Sequence, residues 1–173
     1  MEKHAATLGM VALFEHYKEL GEKAVAQVRD EDLHRFLGND GNSIAVIMRH
    51  MAGNMRSRYT DFLESDGEKP WRDREGEFAE TTAGRAELLK DWNDGWECFF
   101  LAARPLKDED LRRMVLIRNE EHTVLDALQR QLAHYAYHVG QIILLARAFT
   151  GNSWHSLSIP RGGTSAFNRK HGL

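Results

Sequence analysis

The sequence predicts an all-α fold of four principal helices, and three observations predict it. Apolar residues recur at helical spacing through four separate stretches, turn formers punctuate the intervals, and no two segments read convincingly as paired strands. A length of 173 residues with 42% hydrophobic and 28% charged residues is the balance of one folded domain, so residues 1–173 are expected to share a single core. Four amphipathic helices bury their stripes most simply as a four-helix bundle, with one or more long crossings to accommodate the loops.

The first helix is expected from about His4 to Asp30, where Met10, Leu13, Tyr17, Leu20 and Ala24 keep the helical period and Val11 and Phe14 widen the stripe. A short helical turn over 31–36 leads into the turn cluster GNDGNS at 38–43, whose Asn42 or Ser43 can cap the second helix. That helix carries Ile44, Ile47, Met48, Met51, Met55 and Phe62 in one arc and ends before the charged loop ESDGEKPWRDREGEF at 64–78. The third runs from near Thr82 to Ala103, with Leu89, Trp92, Trp96, Phe99 and Ala103 on one side and Arg104-Pro105 as its stop. Segment 111–118 (LRRMVLIR) has no clear helical stripe and is compatible with an extended conformation. Thr123 and Asp126 resemble a capping box that opens the fourth helix, Thr123 to Phe149, which Gly151 and Asn152 end. The C-terminal tail, 152–173, is rich in Gly, Ser and Pro but holds Trp154, Leu157, Ile159 and Phe167, and so is expected to dock on the bundle.

Several function classes are disfavoured. A formal charge of -3, with both signs mixed along the chain, leaves no basic face for a nucleic acid, and Arg169-Lys170 reads as a solvated end. The N-terminal residues lack the pattern of a secretory leader, and the single cysteine, Cys98, cannot form an internal disulfide, so a reducing cytoplasm is expected. The most apolar stretch, 141–149, is too short for a membrane span and contains Arg147. Cys98, between Glu97 and Phe99, reads as a small packed hydrophobe more readily than as a nucleophile.

The fourth helix carries the chemistry. His134 and His138 are four residues apart, one turn along one face, close enough for two imidazoles to reach one ion, with Gln131 and Gln141 beside them. His50 stands at the margin of the second helix's stripe, with Asn54 a turn further on, so packing the two helices together could bring up a third imidazole. Spacing alone does not choose between an ion and hydrogen-bonded structural histidines, although inward-facing rings without an ion would each need other polar partners. His4, His16, His34, His122, His155 and His171 lie at ends, loops or outer faces and read as solvated, His122 being set apart by Glu120 and Glu121 beside it. Glu120, Glu121 and Asp126 precede His134 by at least two turns, so no general base is evident. Arg58 reads as a salt-bridge residue, and Tyr135 and Tyr137 serve equally well as packing residues.

Four blocks carry a family resemblance: RHMAGNMRSRYTDFL around His50, DGEKPWRDREGEF at 66–78, RQLAHYAYHVGQI at 130–142, and the closing WHSLSIPRG. Over nearly its whole length the chain resembles the DinB/YfiT-like metal-binding bundles, particularly a bacterial branch labelled a domain of unknown function. The resemblance implies an antiparallel four-helix bundle, frequently a homodimer, in which His50, His134 and His138 hold a divalent metal, zinc or nickel foremost. For some relatives it implies S-transfer or isomerisation with a low-molecular-weight thiol such as bacillithiol, mycothiol or glutathione. Three neutral ligands leave a coordination position open for a small-molecule substrate, with Asn54 and Gln141 as supporting hydrogen-bond partners. A metal-dependent hydrolase and a non-catalytic metal- or ligand-binding protein are the competing expectations.

Overall fold

The computed structural model describes residues 5–39 and 41–172. Its helices are α1 (Ala5–Val25), α2 (Ile44–Tyr59), α3 (Arg74–Phe78), α4 (Arg85–Ala103), α5 (Val124–Thr150) and α6 (Thr164–Lys170). Strands β1 (Met114–Ile117) and β2 (Glu120–Thr123) form an antiparallel hairpin, so the described residues are mostly helical with one small sheet. His4 lies outside the described residues.

Local chemistry sets the helix starts. Ser43 caps α2 by accepting a hydrogen bond from the Val46 amide at 3.2 Å, and Thr123 and Asp126 form the reciprocal box that opens α5. α5 stops at Gly151, whose φ of 60° is costly for a residue bearing a Cβ.

The core lies between the four long helices. Phe14 of α1, Met51 and Met55 of α2, Trp92, Trp96 and Phe99 of α4, and Tyr135, Val139 and Ile142 of α5 are all buried within it. Phe14 packs on Phe99 with ring centroids 4.3 Å apart, and Trp96 meets Tyr135 at 5.5 Å. α2 and α4 approach closely because Gly95 has no side chain: a Cβ there would stand 2.8 Å from the Cα of Ala52. α2 packs against α3, α4 and α5 and is buried along nearly its whole length, which carries His50 inside.

Four expectations need correction. α1 ends at Val25, followed by a 3-10 turn at Asp30–His34, and its buried face centres on Phe14, leaving Leu13 46% exposed. The charged loop at 64–78 contains α3, capped by the Asp73 carboxylate, which accepts from the Gly76 amide at 2.9 Å. Within segment 111–118 only Met114–Ile117 is a strand, after a 3-10 turn at Asp108–Arg112, and it has a partner where no convincing strand pair was expected. Met114 pairs with Thr123 and Ile117 with Glu120, and the turn residues Arg118 and Asn119 take φ of 58° and 61°. The partner, EEHT, lacks apolar alternation, and none of its four residues is buried: Glu120 and Glu121 are exposed, His122 and Thr123 half-buried. The tail docks only in part. Trp154 and Leu157 pack against the core, and the Gln27 side chain donates to the His155 carbonyl at 3.1 Å and accepts from its amide at 2.7 Å. Ile159 and Phe167 remain 42% exposed. Among the described residues no helix is long and apolar enough to cross a membrane.

Candidate metal centre

The four-residue spacing on α5 sets His134 and His138 with their Nε2 atoms 3.0 Å apart. His50 of α2 brings its Nε2 to 3.3 Å from that of His134. One nitrogen from each ring lies within 4.8 Å of the others, so the three histidines are close enough to hold a metal ion. Nitrogens bound tetrahedrally at ~2.0–2.1 Å from a zinc lie roughly 3.3 Å from one another, which is the scale of the two short separations.

The outer ring nitrogens determine what the inner ones present. His50 Nδ1 faces the Glu77 carboxylate at 3.0 Å and must donate to it. His138 Nδ1 faces Gln141 Oε1 at 2.8 Å and donates likewise, the amide orientation being set by Gln141 Nε2 donating to the Tyr137 hydroxyl at 3.0 Å. In their neutral forms both rings therefore turn an Nε2 lone pair toward His134. A single proton on His134 Nε2 can satisfy only one of them. Convergent lone pairs with outer N–H groups tied to a carboxylate and an amide form a donor set suited to a cation.

The surroundings keep His134 and His138 neutral. Burial, reinforced by the neighbouring imidazoles, pushes His134 down to about 3. Burial pushes His138 down to about 4 against the opposing bond to Gln141. Glu77 is buried too, which raises its pKa, but hydrogen bonds from Arg72 and His50 and their charges outweigh that and hold it below the usual carboxylate value. Arg72, itself only 2% exposed, grips both oxygens of Glu77 at 2.8 Å each. α3 thus acts as a latch over His50, with the Phe78 ring centroid 4.5 Å from that of the imidazole at a 32° tilt. Gly53 makes room for it, since a Cβ there would run into the Glu77 carboxylate.

All three expected ligands converge, and the supporting residues divide. Gln141 holds His138, whereas Asn54 accepts from the buried Tyr135 hydroxyl at 3.1 Å and lines the cavity beside His50. Tyr137 is 62% exposed, and Cys98 is half-buried beside Thr60 and Met55. Glu120 is exposed, and Asp126 is occupied in capping α5. Of the remaining histidines, His16, His155 and His171 are exposed and His34 is half-buried. His122 departs from expectation, with a buried Nε2 that lacks a hydrogen bond and lies 3.9 Å from Glu120.

Two features escaped sequence inspection. One is Glu77, in a segment expected to be loop. The other is a cavity of about 170 Å³ lined by His50 and His134 together with Arg58, Arg72, Arg74, Arg118 and Arg130. These arginines come from α2, the 66–78 segment, the hairpin turn and α5, so no local charge run announces them.

Residues 7–163 match the family described as "Protein of unknown function (DUF1572)". No curated protein and no solved structure is significantly similar to the chain.

Proposed function

This chain belongs to the DUF1572 family, and from that premise we propose that it binds one divalent cation, zinc or nickel, through His50, His134 and His138 and uses it in S-transfer. The observation that carries the proposal is the convergence of the three Nε2 atoms, with the outer nitrogens of His50 and His138 engaged by Glu77 and Gln141. A dication held by neutral ligands keeps its full charge and supplies the field that ionises and orients a thiol at neutral pH. Around it, Glu77 and Gln141 hold the imidazoles in the required tautomers, and Phe78 shields one face of His50.

The choice of S-transfer over hydrolysis rests on the cavity lining. Among the described residues no acidic side chain lines it, and Glu77 is committed to Arg72 and His50, so the lining offers no carboxylate base for water attack. A thiol, with an ordinary pKa near ~8.5, needs far less help to ionise than water does at ~15.7. The thiolate sulfur would form a bond to an electrophilic carbon, the leaving group departing with the bonding electrons and the thiol proton passing to solvent.

In the same proposal the four long helices form an antiparallel bundle of the DinB/YfiT-like kind, working as a cytoplasmic homodimer. The blocks around His50 and His134 and the lone Cys98 support it. The test is a conjugation screen of zinc- and nickel-loaded protein with glutathione, bacillithiol and mycothiol against small electrophiles, beside thiol-free ester and amide substrates. Metal-dependent consumption of a thiol is expected. Thiol-independent hydrolysis would replace S-transfer with the hydrolase reading, and tight metal binding without turnover in either arm would leave a binding protein.

A further inference from the structure

The cavity beside the histidines carries an excess of positive charge that the fold does not neutralise. Arg72 is paired with Glu77. Arg58 and Arg118 share one carboxylate, Glu68, at 3.3 and 2.9 Å. Asp66, nearby, has its oxygens occupied by the amides of Glu68, Arg118 and Asn119. Arg74 and Arg130 have no ion pair among the described residues. Five guanidinium groups thus line a small space with three carboxylates, Glu77, Glu68 and Asp66, close by.

Arg58 makes the arrangement more than a solvated charge cluster. Its side chain is only 7% exposed, and its Nη1 is buried without a hydrogen bond, Glu68 being near enough for attraction but out of alignment. A buried guanidinium donor with no acceptor is costly. Its charge is held at the cavity wall, beside four other arginines that line the same space, and so adds to the positive field there. Guanidinium forks match the planar oxygens of carboxylates and the oxygens of phosphates, and several together favour a doubly charged group over a single charge. At about 170 Å³ the cavity is well below the ~300 Å³ where drug-sized pockets begin, so the occupant is small.

We propose that this cavity binds a small organic oxyanion, a dicarboxylate or a phosphate ester, with its acidic oxygens on Arg58, Arg118 and Arg130 and its remainder toward His50 and His134. That the bound anion is the substrate rests on the S-transfer reading; that it binds does not. The electrophile, or the acidic part of the thiol itself, is therefore the anionic partner of the reaction.

The test is calorimetric titration of the full chain, zinc-loaded and metal-free, with succinate, inorganic phosphate and the neutral isostere succinamide. Zinc stoichiometry is measured on the same samples. Because Arg58 is buried and its loss could unfold the protein, the variants are Arg118→Gln and Arg130→Gln, each checked by thermal unfolding. Succinate or phosphate should bind while succinamide does not, and each variant should weaken the anion about tenfold, equivalent to ~1.4 kcal/mol, with zinc uptake unchanged. Equal binding of succinamide, indifference of both variants, or no binding of either anion would overturn the proposal. Zinc uptake without anion binding defeats this inference alone, whereas arginine-dependent anion binding without zinc uptake defeats the metal reading and leaves this one standing.

Discussion

Glu77 couples two groups that would otherwise be independent: it accepts from His50 Nδ1 and takes two bonds from Arg72. Its charge fixes the His50 tautomer, and its loss would strand a guanidinium that is only 2% exposed. Glu77→Gln is therefore expected to lower zinc affinity about 10–100-fold. The stranded Arg72 should also cost the metal-free protein about 3–5 kcal/mol of stability, as for other broken buried pairs. A chelator-competition titration reads the first effect and unfolding of the metal-free protein the second. Unchanged zinc affinity would mean that Glu77 only anchors α3. His50 was reached through its place on the second helix and the family resemblance, whereas His134 and His138 were legible as a pair because a four-residue helical spacing is a local signal. Glu77 was not, because its role depends on α3 folding back across α2, and a five-residue helix among loop-forming residues leaves little periodicity to read.

Asp66 does for the connecting elements what Glu77 does for the histidine cluster. Its carboxylate accepts from the amides of Glu68 at 2.6 Å, Arg118 at 2.8 Å and Asn119 at 2.6 Å, tying the start of the 66–78 segment to the hairpin turn. Gly67 reinforces the joint by donating to the Leu116 carbonyl at 2.8 Å. Burial raises the pKa of Asp66, but these amides and Arg58 outweigh it, so its folded value lies below the ordinary 3.8. The stabilisation is accordingly complete above the unfolded pKa and is lost as pH falls through the folded value. Asp66→Ala should cost about 1–3 kcal/mol at neutral pH, the scale of hydrogen bonds to a charged group. Denaturant unfolding should show that gap narrowing in acid below about pH 4. A gap that persists in acid would place the effect in packing. The hairpin was half legible: the apolar 114–117 run showed an extended segment, while the polar β2 strand and an Arg-Asn turn gave no conventional hairpin signal.

Across the whole molecule, the long helices were readable because each carries a stripe several turns long, and α2 is so deeply placed that its stripe residues are all buried. What could not be read is the convergence of the arginines. The cavity arginines are contributed by segments far apart in sequence, and only the packing of α2, α5 and the hairpin brings them together. The central claim, that one cation sits among three imidazoles, is tested most directly by crystals of the zinc-loaded protein measured across the zinc absorption edge. The account predicts one anomalous peak per chain, bonded at ~2.0–2.1 Å to Nε2 of His50, His134 and His138. Loaded crystals with no peak there, or with zinc held only by other residues, would contradict it.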